Sequence, residues 1–231
     1  MKKLVSILFL LVALVVIFEG CSNVGNNREQ KNSRDLTVSI ENEYKGPSEN
    51  NKLMKVDSVT DSKYGPDLNV IFNDSDEIIR GIVKNISYTS FTGSAWTKAD
   101  ILVTESYKGE VKKGDIVTIF MFGGYIKLQD YIKFFDDRFR FKDLSDSDIN
   151  NIVLKEMDNG MPFLSEGEEL IFPLITPAPH MPLPKGSFER MSAAGILDKT
   201  KDGNYIQNYY EEGKKYIYSH SDDEFMSKIK N

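Results

Sequence analysis

Hydrophobic and polar positions along the 231 residues fall into three regimes. An apolar run over residues 4–18 opens the chain behind Lys2 and Lys3, and a polar stretch follows over residues 22–66. That stretch has too little apolar surface to offset the entropy of ordering, so residues 21–66 are expected to form a flexible tether. From Asp67 to Asn231 the apolar positions recur at strand or helix spacing, which predicts one folded domain.

Within that domain, Leu68, Ile71 and Phe72 form a short helical stripe with Asp67 as N-cap. Residues 77–88, rich in Ile, Val and Tyr, predict a long strand, and Gly81 in its interior predicts a bulge or coil. Strands follow over 96–107 and 116–122, separated by a charged turn and ended by Gly123-Gly124. These make an antiparallel meander. Residues 125–165 break the pattern and read as an insertion. Ser145 and Asp148 have capping-box spacing, and Ile149, Ile152, Val153 and Met157 extend the predicted helix over 146–157. Tyr131, Phe134, Phe135 and Phe139 suggest an earlier helix.

A strand over 168–174 is followed by a loop holding Pro173, Pro177, Pro179, Pro182 and Pro184. Asp202-Gly203 then predicts a hairpin joining 193–199 to 204–209, because glycine supplies the positive φ of a tight turn. A last strand over 215–219 and a helix over 222–229, capped by Ser221, complete the chain. The expected class is mainly β (α+β): an OB-like antiparallel β-barrel with a helical insertion and a C-terminal helix.

Charge and cysteine count narrow the function. The net charge is −6, and removal of residues 1–20 takes away two lysines and a glutamate, leaving −7. Such a balance argues against nucleic acid, whose phosphates require clustered Lys and Arg. The single cysteine, Cys21, allows no internal disulfide.

Phe18-Glu19-Gly20-Cys21, behind the basic start and the apolar run, resembles the lipobox of bacterial lipoproteins. The resemblance implies cleavage between Gly20 and Cys21 and acylation (palmitate-type chains) of Cys21. It implies a protein held at the extracytoplasmic side of the cell membrane. Phe18 and Glu19 depart from the leucine and the small uncharged residue usual in that motif.

Further on, Asp76-Glu77-Ile78-Ile79-Arg80-Gly81-Ile82-Val83, the 99–109 strand and turn, Gly114-Asp115-Ile116-Val117-Thr118-Ile119 and Glu166-Gly167-Glu168-Glu169-Leu170-Ile171-Phe172 are similar to secreted Firmicutes lipoproteins with an OB-like barrel. The order also resembles netrin-like domains, including tissue inhibitors of metalloproteinases. Those inhibitors use a free N-terminal cysteine within a disulfide-rich edge, and one cysteine cannot build that edge. The resemblance therefore implies the barrel and not the inhibition.

Several constellations bear on chemistry. Asp146, Asp148 and Asn150 match the first ligands of an EF-hand, but Asn151 replaces the turn glycine and Met157 the closing glutamate. His180 and His220 have no metal-ligand spacing, and no cofactor motif or G-x-S-x-G occurs. Asp136-Asp137 with Glu166, Glu168 and Glu169 offer carboxylates for glycoside cleavage, a reading that needs two of them to face each other. Tyr131, Phe134, Phe135 and Phe139, interleaved with Lys133, Arg138 and Arg140, together with His180 in the proline loop, are the candidate partner-contact surface. The expected role is non-catalytic binding of an envelope protein, a peptide or a wall glycan. The alternatives are an envelope hydrolase and a structural lipoprotein without a ligand.

Overall fold

The computed structural model describes residues 43–58, 65–91, 93–181, 183–192, 194–211 and 213–230. The chain is mainly β, in the α+β class. Strands β1 (Lys52–Ser58), β2 (Glu77–Phe91), β3 (Ser94–Lys108), β4 (Ile116–Phe122), β5 (Gly124–Lys127), β6 (Ile152–Asp158), β7 (Glu169–Ile175), β8 (Phe188–Arg190), β9 (Leu197–Lys199), β10 (Tyr205–Glu211) and β11 (Lys214–His220) form two sheets. Among the described residues four α-helices accompany them: α1 (Leu68–Asp74), α2 (Leu128–Phe135), α3 (Asp146–Asn151) and α4 (Asp222–Lys230).

The larger sheet runs β11-β10-β9-β7-β2-β3-β4-β8, with β8 also pairing β7. The β7-β2-β3-β4 ladders are antiparallel, whereas β8 lies parallel to β4 and antiparallel to β7. Glu189 stands opposite both Phe120 and Ile175, so three residues of β8 span the seam of a five-strand ring. This is the partly open barrel of the OB-like type.

Long, coiled strands make the ring feasible. The β2–β3 ladder shifts register at Ile78/Ile79, Arg80/Gly81 and Val83/Asn85, and such bulges bend a strand and raise its twist. At Gly81 a Cβ would lie 2.3 Å from Ile101 Cγ2 and 2.8 Å from the Leu102 carbonyl oxygen, so the close approach requires glycine.

Strand alternation sorts the side chains into two cores. Ile79, Val83, Ile101, Ile119, Phe172 and Leu174 fill the barrel, while the alternate Ile78 and Ile171 face a second cluster with Leu68, Ile71 and Phe72 of α1, Tyr205 and Phe225 of α4. The Asp67 carboxylate accepts from Asn69 N at 2.9 Å and caps α1 as expected. The Asp202-Gly203 hairpin also forms, with Thr200 N donating to Asn204 O at 2.8 Å and Gly203 at φ 85°.

Two expectations need correction. Residues 52–58, expected in the tether, form β1, which pairs in parallel with β6 over all seven residues. Its partly buried Met54 and Val56 pack beside Ile152 and Leu154, giving this polar-looking segment an apolar face. Tyr44 also bridges Tyr88 through main-chain hydrogen bonds of 3.0 and 2.9 Å. Of the expected tether, residues 21–42 and 59–64 lie outside the described residues.

The predicted helix over 146–157 stops at Asn151. The capping box forms, with Ser145 Oγ accepting from Asp148 N and the Asp148 carboxylate accepting from Ser145 N. Beyond it Ile152, Val153 and Leu154 are all buried, which one helical face cannot achieve but a central strand between β1 and β5 can.

Helix α4 closes the second core. Ser221 Oγ accepts from Glu224 N at 3.2 Å, and Asp222, Asp223 and Glu224 occupy the positive first turn. The Glu224 carboxylate, 3.0 Å from His220 Nδ1, is held below its ordinary value of 4.5 mainly by that hydrogen bond. The folded chain therefore binds this proton less readily than the unfolded one. The stabilisation is fully present above pH 4.5 and is lost as pH falls through the lower folded value. Melting temperatures followed from pH 5 to pH 3 should fall less steeply for Glu224→Gln than for the parent; an unchanged slope would contradict the assignment.

Candidate partner-contact surface

Helix α2 is fastened by its first residue. Leu128 is fully buried with Ile126, Ile149, Ile152 and Leu154, and Tyr131 and Ile132 pack against the same cluster. The helix ends at Phe135 because Asp136 adopts the left-handed conformation at φ 53°. Phe139 therefore does not continue the stripe of Tyr131, Phe134 and Phe135. It belongs to a separate 3-10 turn, Arg138–Phe141.

That turn is braced by Arg138, whose guanidinium donates to the carbonyls of Phe141 and Leu144 and lies 3.5 Å from Asp146. The rings form a chain: Tyr131 and Phe135 have centroids 4.8 Å apart, Phe134 and Phe135 meet edge-on at 5.0 Å, and Tyr131 meets Phe141 at 6.2 Å. Phe135 and Phe139 are exposed, at 48% and 79%, and the Lys142 ammonium lies 5.3 Å from the Phe139 ring centroid. Tyr131 and Phe134 are partly buried and support the exposed Phe135 ring.

The tip of the β2–β3 hairpin forms the floor. Gly93 has φ 80°, and a Cβ there would lie 2.4 Å from both Phe134 Cδ1 and Phe135 Cε2. Gly93→Ala is expected to cost about 1–3 kcal/mol through backbone strain and overpacking. It should also loosen α2, read as faster proteolysis after Phe134 and Phe135; unchanged stability and cleavage would contradict this packing.

His180 lies in the proline loop. It is exposed in a turn where Met181 N donates to Ala178 O, while Met181 and Leu183 anchor the loop on Phe91, Trp96 and Phe120. The other expected site residues, Gly20 and Cys21, lie outside the described residues. No protein-family model matches this chain, and no curated protein does.

Three of the carboxylates open to acid/base work, Glu166, Glu168 and Glu169, have structural partners. Glu166 accepts from Ile86 N at 3.1 Å, Glu168 from Ser165 N at 2.8 Å, and Glu169 is bound by Arg80 at 2.7 Å and Thr104 at 2.7 Å. Asp148 is committed to the capping box and Asp146 faces Arg138. Among the described residues no group of three or more His, Cys, Asp or Glu is arranged to hold a metal, and no helix is long and apolar enough to cross a membrane.

Two features escaped the sequence reading. Arg190 Nη2 and Asp158 Oδ2 form a buried ion pair at 2.7 Å, which links the barrel seam to the end of β6. Strand β11 is exposed along nearly its whole length. Neither pairing partners nor two-sided exposure leave a mark in local periodicity.

Proposed function

We propose that this chain is a lipid-anchored extracytoplasmic lipoprotein whose OB-like domain acts as a non-catalytic binding module at the cell envelope. The address rests on the sequence: a basic start, an apolar run and Gly20-Cys21. The observation that carries the binding role is the exposure of two rings, Phe135 beside partly buried Tyr131 and Phe134, and Phe139 on the following turn beside Arg140 and Lys142. Exposed aromatics beside cations suit stacking on a sugar face or anchoring in a protein pocket. The structural commitments of Glu166, Glu168 and Glu169 favour this reading over carboxylate hydrolysis.

A photoreactive benzoylphenylalanine introduced at Phe139 in the native host tests it. A discrete protein adduct or a wall-bound insoluble adduct is expected, and it should disappear when Phe135→Ser is added. The same probe placed at exposed Lys113 should give neither. Absence of any adduct from position 139 would overturn the role of this surface.

A further inference from the structure

Strand β11 ends the larger sheet, and among the described residues no strand covers its outer side. Tyr216 is 40% exposed, Ile217 63% and Tyr218 38%. Such an edge presents unpaired N–H and C=O groups, which proteins usually shield.

The register with β10 tells which residues are available. Glu211 and Lys214 flank a two-residue turn and pair directly, as do Tyr209 with Tyr216 and Gln207 with Tyr218. Hydrogen-bonded and non-hydrogen-bonded pairs alternate from such a turn. Lys214, Tyr216, Tyr218 and His220 thus direct their main-chain groups to β10. Lys215, Ile217 and Ser219 direct theirs outward.

The sequence of this edge, Lys-Lys-Tyr-Ile-Tyr-Ser-His, is symmetric in its aromatics about Ile217. We propose that β11 pairs antiparallel with β11 of a second copy, around a two-fold axis at Ile217, to make one sheet continuous across a homodimer. This register pairs all seven residues. Ile217 faces its own counterpart as a hydrogen-bonded pair. Tyr216 faces Tyr218 of the second copy twice, at the non-hydrogen-bonded positions where side chains are closest.

Charge selects the same register. Lys214 stands opposite His220 and Lys215 opposite Ser219, so no lysine meets a lysine; moving the axis one residue toward the turn leaves about five residues paired in place of seven, and moving it two sets Lys215 against its own copy. A surface that complements itself in this way fits an isologous dimer better than a foreign strand. A seven-residue edge contact is small, below roughly 1,200 Å². The dimer is reversible and forms at concentrations on the order of tens of micromolar.

Cysteine trapping of the full-length chain, carrying Cys21→Ala and purified in mild detergent, reads the register. Two copies of Ile217→Cys place their Cα atoms about 5.5 Å apart, within disulfide range. Two copies of Lys214→Cys are about 20 Å apart. Under mild oxidation at about 50 µM, a concentration in that range, Ile217→Cys should form covalent dimer at least tenfold faster. In sedimentation the Cys21→Ala parent should dimerise and its Ile217→Lys variant should stay monomeric with an unchanged circular dichroism spectrum. Equal trapping at both positions, a parent that stays monomeric, or a dimer that survives Ile217→Lys would each overturn the proposal. None of these outcomes depends on whether the Phe135 and Phe139 surface binds anything.

Discussion

Asp158→Ala is expected to destabilise the domain by about 3–5 kcal/mol, because it strands the Arg190 guanidinium in the interior. Both side chains of the pair are only 4% exposed, and apart from Asp158 the guanidinium has the Met161 sulfur at 3.3 Å and the charge of the neighbouring Glu189, with which no hydrogen bond forms. Burial lowers the proton affinity of Arg190 despite the pull of Asp158, so desolvation outweighs the attraction. The pair therefore adds little relative to apolar residues of the same shape, while either half alone is costly. The double variant Asp158→Leu/Arg190→Met should lose less than Asp158→Ala. Urea unfolding of parent, single and double variants checks this, and a loss in the double variant as large as that of Asp158→Ala would contradict it. Because Arg190 sits in β8, Asp158→Ala should also loosen the seam, read as faster amide exchange across β7 and β8.

Phe225→Ala should cost a further large amount, about 3–5 kcal/mol. Phe225 is fully buried, stacks on Tyr205 at 3.8 Å and 7°, and meets Phe72 and Tyr107 edge-on at 5.4 and 5.3 Å. One ring thus joins α4 to α1, β3 and β10. Its truncation opens a cavity between four elements that cannot all collapse inward, and α4 has little else buried to hold it. Denaturant unfolding gives the energy, and limited proteolysis near residue 220 reads the release of α4. A loss below about 1 kcal/mol would mean that α4 docks elsewhere.

The main barrel was legible where local chemistry and periodicity agree. Strand β4 matches its expected bounds, Gly81 marks a bulge as expected, and the caps at Asp67, Ser145 and Ser221 all form. The failures share one cause. Strand β1 is polar and β8 is three residues long, so each is defined by a partner distant in sequence: β6 for the first, β4 and β7 for the second. Ile152, Val153 and Leu154 fit a helical count, yet burial between two strands decided their conformation. At the candidate surface, the aromatic spacing correctly indicated α2 but ran through its end. Asp136 in the left-handed region turns Phe139 out of the helix, and this turn is what gives Phe139 its exposure.

The address of the protein is the claim on which its envelope role depends, and it is tested by the intact mass of the chain extracted from membranes of a Gram-positive host, beside Cys21→Ala. The expected result is a chain beginning at Cys21 with a diacylglyceryl adduct that is absent from the variant. An unmodified chain in the culture fluid, or an uncleaved one in the membrane, would contradict lipid anchoring and identify Glu19 as the residue that defeats it.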